Sequence, residues 1–418
     1  MIVRAHVVGA GLAGLAAALG LARAGVAVSL YDAAGHAGGR CRSLHDRALG
    51  CEIDNGNHLV MAGNRATFAY LDEIGARDRV VGLAPAAFPF LDLDTGERWT
   101  VRPNPGPLPW WPLAPRRRVA GTRAADYLAG LKLAFAGAED TVAGMLARPA
   151  TLYRRLWQPL ATSALNTDPE HGAARLLWPV LRDTFLRGEA WCRPYVADRG
   201  LSHAFIAPAL ARLERLGAQV SFNQRVRGLE LAADTVRGLD TAHGAVAVGS
   251  GEAVVLAVPA PAAAALVPGL RTPAESSAIV NAHYRLDHAP ALPCGARFLG
   301  LVGGTAQWLF VRGQVASITV SAAGALATRP NDEIAARLWH DLARALDLAP
   351  SPIAPWRVIN ERRATFAQTP DACRRRPGAR TSLANLVLAG DWTDTGLPAT
   401  IEGAIRSGRR AAAVALGR

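Results

Sequence analysis

A chain of 418 residues, half of them hydrophobic, exceeds what one ordinary core absorbs, so two domains sharing an interface are expected. The five cysteines, Cys41, Cys51, Cys192, Cys294 and Cys373, are odd in number and scattered without CxxC or metal-type His/Cys spacing, which argues against a disulfide framework or a metal site and for a reducing cytosol. The formal charge of +12 would suit nucleic acid, but Lys132 is the only lysine and the arginines are spread over the whole length; a compositional bias explains this better, with an anionic membrane surface as a second use.

The first predicted unit runs from Val3 to Asp32 as strand, glycine-rich turn, helix and second strand. Gly9 permits a tight exit from the strand, Gly11 lets backbone approach a pyrophosphate, and Gly14 lets the helix pack close. Unpaired N–H groups and the helix dipole would stabilise the anion there. Asp32 follows Gly14 by eighteen residues, where a carboxylate accepts from both ribose hydroxyls and disfavours a 2′-phosphate. A purely structural glycine turn is the alternative. Arg4 is the only charge available for a signal-peptide n-region, so the segment reads as strand plus helix and the chain as unprocessed.

Gly38-Gly39-Arg40 and Asp54-Asn55-Gly56-Asn57-His58 both read as turns beside a ligand. Arg40 can neutralise phosphates as a planar fork, or it can be a solvated surface residue. Thr67 to Ile74 is a predicted helix capped by Gly75, and Phe90 to Val101 a strand pair turning at Asp94-Thr95-Gly96. Pro103 to Arg118 holds too many prolines for helix or central strand and sets Trp110 and Trp111 beside Arg116 to Arg118. That suits a membrane interface or a connection packed on its own protein. Ala124 to Leu186 is helical and apolar, with breaks at Pro159 and Pro169. A helix at Ser202 to Leu216 precedes strands at Gln219 to Phe222 and Arg225 to Leu229, where Val226 is placed beside the cofactor. Ala253 to Pro259 reads as a strand of a parallel sheet buried on both faces. Strands at Ala278 to Leu286, Thr305 to Val311 and Val315 to Ser321, with a helix at Asp332 to Leu346, return the chain to the second domain.

Near the C-terminus a buried strand, Leu386 to Gly390, ends in Asp391, and a helix starts near Ala399 behind Pro398. Two helix N-termini on one pocket suit a long cofactor with a pyrophosphate at one end and an electron-accepting ring at the other. FAD fits, with Asp391 on the ribityl chain and the dipole at Thr400 and Ile401 favouring negative charge on the reduced ring. Asp391 as the N-cap of a nearby turn is the alternative.

Gly9-x-Gly11-x-x-Gly14, Asp32, Gly38-Gly39-Arg40 and the terminal AGDW…EGAIRSG resemble the flavin amine oxidase and phytoene desaturase superfamily. Within it, IDNGNHL at Ile53 to Leu59, LWQPLATSALNT at Leu156 to Thr167 and DRGLS at Asp198 to Ser202 are similar to the squalene-associated flavin enzymes, the hydroxysqualene dehydroxylases of bacterial hopanoid biosynthesis. The resemblance implies an α/β fold. A discontinuous Rossmann-like FAD-binding domain would comprise residues 1–66, 195–260 and 356–418, and an amine-oxidase-like, mixed α+β substrate domain residues 67–194 and 261–355. It also implies a C30 isoprenoid substrate, an electron donor the sequence does not identify, and a cytoplasmic enzyme touching the inner face of the membrane through residues 103–118.

The implied reaction delivers hydride from reduced flavin to an allylic carbon of hydroxysqualene as the hydroxyl leaves as water. His58 is the candidate acid or proton relay, with Asn57 orienting it or the substrate oxygen; a structural histidine closing the turn is the alternative. Asp54 fixes that turn, and Asn166 and Thr167 are candidate polar groups of the pocket. Asp32 stands where glutamate is more usual, and Asn57 where the narrower family usually has glutamine. A desaturase running hydride the other way needs the same tunnel. An amine oxidase is disfavoured because Lys132 falls among the substrate-domain helices, and a non-catalytic prenyl-protein escort because Asp391 and the helix start at Thr400 are intact.

Overall fold

The computed structural model describes residues 2–418. Five strands form a wholly parallel sheet in the order Gln219–Ser221, Ala27–Tyr31, Arg4–Val8, Glu252–Leu256, Leu386–Leu388. Its central strands are apolar because both faces are covered. On one face lie the helices Leu12–Arg23 and Ile401–Ala415, packed on Ala5, Val7 and Val255. On the other, Val8, Val254 and Leu256 meet the helix Ala260–Leu266 and the antiparallel strands from Val226 to Ala247.

The two covering helices come from opposite ends of the chain and touch backbone to backbone. A Cβ on Gly408 would fall 2.1 Å from the Ala13 carbonyl oxygen, and one on Gly20 would fall 3.0 Å from the Ala412 methyl. Gly14 is tighter still, since its Cβ would sit 1.8 Å from the Gly9 oxygen.

A second, seven-stranded sheet runs in the order Trp356–Phe366, Ser276–Arg285, Val315–Val320, Trp308–Arg312, Phe298–Val302, Phe88–Asp92, Arg98–Val101. The strand Trp356–Phe366 was assigned above to the cofactor domain. It pairs instead with Ser276–Arg285, because its antiparallel partner lies far away in sequence and leaves no local mark. Alternation divides this sheet cleanly. Val280, Ala282, Tyr284 and Ile318 pack on the helix Asn331–Leu346, whereas Ile279, Asn281, Thr319 and Ser321 face a cavity on the other side.

The helical stretch after residue 124 departs from expectation in two ways. Ala124–Phe135 is a 3₁₀ helix that buries Tyr127, Gly130 and Leu133 at its period of three. Pro159 does not break its helix: residues 150–165 run on through a π-turn at Tyr153–Trp157, which shifts the hydrogen-bond ladder just before the proline. The same device, at Ser202–Ile206, precedes Pro208.

The proline-rich segment is organised by Asn104, fully buried, which accepts from the Trp111 N–H at 3.0 Å and donates to the Pro105 and Leu108 carbonyls. Of the two tryptophans, Trp111 is only 5% exposed and packs edge-on against Tyr127, while Trp110 is exposed.

Gly408→Ala is expected to lower the thermal midpoint by several degrees, the cost of overpacking being about 1–3 kcal/mol. Gly378→Ala, whose Cβ would meet nothing within 4 Å, should leave it unchanged; scanning calorimetry of both variants checks the pair.

Candidate cofactor and substrate cavity

The carboxyl ends of the parallel strands open into a cavity of about 880 Å³. Gly9 leaves the first strand at φ +106°, with the position of its absent Cβ only 2.5 Å from the Ala257 oxygen. Gly11 differs. Nothing lies within 4 Å of its missing Cβ, so a bare stretch of backbone faces the cavity at the start of the helix Leu12–Arg23. The Gly38-Gly39 turn lies against it: Gly38 N–H donates to the Ala10 oxygen at 2.8 Å, and a Cβ on Gly39 would stand 3.5 Å from the Gly11 Cα. This cradle, open where a side chain would fill it, fits a pyrophosphate.

Asp32 lines the same cavity, and its two oxygens accept from Ala10 N–H at 2.7 Å and Ala34 N–H at 2.8 Å. Those contacts lock the carboxylate to the glycine turn and leave each oxygen a lone pair for a ribose hydroxyl. Val226 lines the cavity too, at the start of its strand.

Arg40 and Asp391, read separately in the sequence, form one ion pair at 2.8 Å, and Arg40 also donates to the Ala364 carbonyl. Asp391 is 8% exposed, and its charge holds the Arg40 guanidinium above its ordinary pKa. Arg376 is buried, and its guanidinium donates to the carbonyls of Asp391, Trp392, Thr393 and Leu397. It therefore shapes the loop carrying Asp391.

Thr400 caps the last helix, its Oγ1 accepting from Gly403 N–H at 3.1 Å. Two residues on, buried Glu402 accepts from the N–H groups of Ala66 and Thr67 and from the Thr67 hydroxyl, capping the helix Arg65–Ile74 in place of a local side chain. Thr400 and Ile401 both line the cavity.

Asn57 and His58 line the cavity on the side of the seven-stranded sheet. Asn57 Nδ2 donates to Thr319 Oγ1 at 3.0 Å, while His58 has no protein hydrogen bond among the described residues. Burial pushes the His58 imidazole below its ordinary pKa, and Arg40 acts in the same sense against Asp54. Asp54 is structural: it accepts from Ser43 Oγ, Leu201 N–H and Arg312. Of the two candidate polar groups Asn166 and Thr167, Asn166 lines the cavity and Thr167 does not, and both are hydrogen-bonded within the protein. Asn166 donates to the Ser277 carbonyl and Thr365 and accepts from Ala322 N–H, and Thr167 bonds Leu165 and Gln368. Apolar side chains line the same cavity, among them Phe88, Phe90, Val101, Leu156 and Leu160.

An open parallel sheet with a glycine cradle at its carboxyl edge, and a second helix N-terminus on the same cavity, defines a dinucleotide-dependent flavoprotein oxidoreductase. The flavin containing amine oxidoreductase family matches residues 12–416, and the chain belongs to that family. Its cofactor is FAD. The chain is 46% identical to a hydroxysqualene dehydroxylase of Sinorhizobium fredii and 42% to one of Zymomonas mobilis, each match covering 98% of both chains. Among solved structures, the cyclohexylamine oxidase of Brevibacterium oxydans shares the fold at a TM-score of 0.74, with 16% identity over 100% of both chains.

Arg40→Leu would leave Asp391 unpaired beside an anionic ligand. It is expected to weaken FAD retention about 100-fold, read from the flavin remaining after gel filtration, with secondary structure unchanged by circular dichroism.

Proposed function

We propose that this chain is an FAD-dependent hydroxysqualene dehydroxylase, converting hydroxysqualene to squalene. One observation carries the reading: a single cavity is lined by the glycine cradle, by the polar side chains of Asn57, His58 and Thr319, and by apolar Phe88, Phe90, Val101, Leu156 and Leu160. A long hydrocarbon with one hydroxyl matches that distribution, and the relatives' names support it. In this reading Gly9, Gly11, Gly38, Gly39, Arg40, Asp32 and Val226 hold the dinucleotide, Gly14, which does not line the cavity, seats the helix behind the cradle, and Asp391, Thr400 and Ile401 hold the flavin end. Reduced FAD supplies hydride to the substrate. The apolar walls exclude water from the carbon that loses its hydroxyl, and His58 passes a proton to the departing oxygen. Residues 67–194 with 261–366 receive the substrate; the remainder holds the cofactor.

The test is anaerobic incubation of protein, FAD and reductant with hydroxysqualene, squalene being the expected product. No squalene, together with turnover of phytoene or squalene by oxidised protein, would transfer the reading to desaturation. An imidazole held neutral by burial must first take up a proton, so the rate is expected to rise as pH falls and to level off only below the ordinary histidine range. His58→Gln should lose that rise and about 100-fold in rate while keeping its flavin.

The proposal extends to the membrane. Among the described residues no helix is long and apolar enough to cross one. An apolar surface nevertheless stands out: Leu108, Trp110 and Leu113 on the proline-rich segment, and Leu128, Leu131 and Phe135, the last 86% exposed, on the 3₁₀ helix beside it. Arg117 sits over the Trp110 ring at 5.2 Å, and Lys132 is exposed among the leucines. The segment abuts the wall of the cavity, since Glu189 N–H bonds the Asn104 carbonyl a few residues after Phe185, which lines it. A lipid-dissolved substrate would enter there. Flotation with anionic liposomes should fall at least about 10-fold for the double variant Leu131→Glu and Phe135→Glu; unchanged flotation sinks the idea.

A further inference from the structure

The side chain of Asn57 ends a hydrogen-bond chain whose other end is a backbone carbonyl. Asn281 Nδ2 lies 3.2 Å from the Asn55 carbonyl oxygen. A carbonyl only accepts, so this contact assigns the amide nitrogen of Asn281 and turns its Oδ1 toward Thr319. Thr319 Oγ1 is 2.8 Å from that Oδ1 and gives its single proton there. With its proton committed, Oγ1 can only accept, and it does so from Asn57 Nδ2 at 3.0 Å. Asn57 Oδ1 has no protein partner among the described residues, and the residue lines the cavity. Turning the Asn57 amide over would set two oxygens face to face with no hydrogen between them. Asn281 is 1% exposed and Thr319 7%, so no solvent relaxes the assignment.

We propose that Asn281 and Thr319 are positioning residues that hold Asn57 with its Oδ1 toward the cavity, as the acceptor for the hydrogen of the substrate hydroxyl. Asn57 thus binds the alcohol and never supplies its proton, which leaves that task to His58. The polarity originates in a main-chain carbonyl of the same turn that carries Asn57, and it is relayed through two neighbouring strands of the large sheet. The inference rests on reading the cavity as a site for a long-chain alcohol.

Dissociation constants for hydroxysqualene and squalene, measured on the oxidised flavoprotein by the change in flavin absorbance, test it without turnover. Wild type is expected to prefer the alcohol. Thr319→Val should weaken hydroxysqualene about 10-fold and squalene less than about 2-fold, and Thr319→Ser, which keeps the hydroxyl, should restore the alcohol to within about 3-fold. Asn57→Leu, on the cavity side of the relay, should give the same split if Thr319→Val does not fold. Equal weakening of both ligands, no weakening in either variant, or no preference in wild type would each overturn the proposal. A wild type that prefers the alcohol yet forms no squalene with reductant would sink the reaction proposed above and leave the acceptor role standing.

Discussion

Two helices from opposite ends of the chain point their N-termini into one cavity, and they can do so only because glycine removes the atoms that would hold them apart. Gly14 brings the first helix against its own strand, and Gly20 and Gly408 bring the last helix against the first. The contacts at Gly14 and Gly408 are shorter than a Cβ tolerates and the one at Gly20 leaves it little room, so the constraint is steric. The paired dipoles, the Asp391 loop and the position of Glu402 over the helix Arg65–Ile74 all follow from that approach.

The charged residues near the cavity are mostly committed to structure. Asp54 is consumed by Ser43, Leu201 and Arg312, and Arg376 by four carbonyls. Desolvating a charge is costly, so buried charges appear where several donors or acceptors converge on them. Against that background, an imidazole without a protein partner and an amide oxygen facing open space stand out as groups reserved for a ligand.

The cavity's polarity comes from the alternation of one sheet. The strands Ser276–Arg285 and Val315–Val320 give their aliphatic residues to the core beneath the helix Asn331–Leu346 and their polar ones, Asn281 and Thr319, to the cavity. A single register thus stabilises the fold and sets these polar groups in the cavity; a slip of one residue would bury the amide and present valine and isoleucine to the ligand.

By itself the sequence determined what depends on neighbours in the chain. The glycine turn and Asp32, the Gly38-Gly39-Arg40 turn, and the terminal strand and helix around Asp391 and Thr400 were legible because strand, turn and cap are short-range events with fixed spacings. The tertiary structure alone decided what depends on distant partners. The strand Trp356–Phe366 joined the other sheet, Trp111 went inward while Trp110 stayed out, and Arg376 was buried beneath the Asp391 loop. The ion pair of Arg40 with Asp391 and the chain from Asn55 through Asn281 and Thr319 to Asn57 join residues hundreds of positions apart. Nothing local marks such partners, because hydrogen-bond satisfaction is a property of the closed fold and not of the segment that supplies the donor.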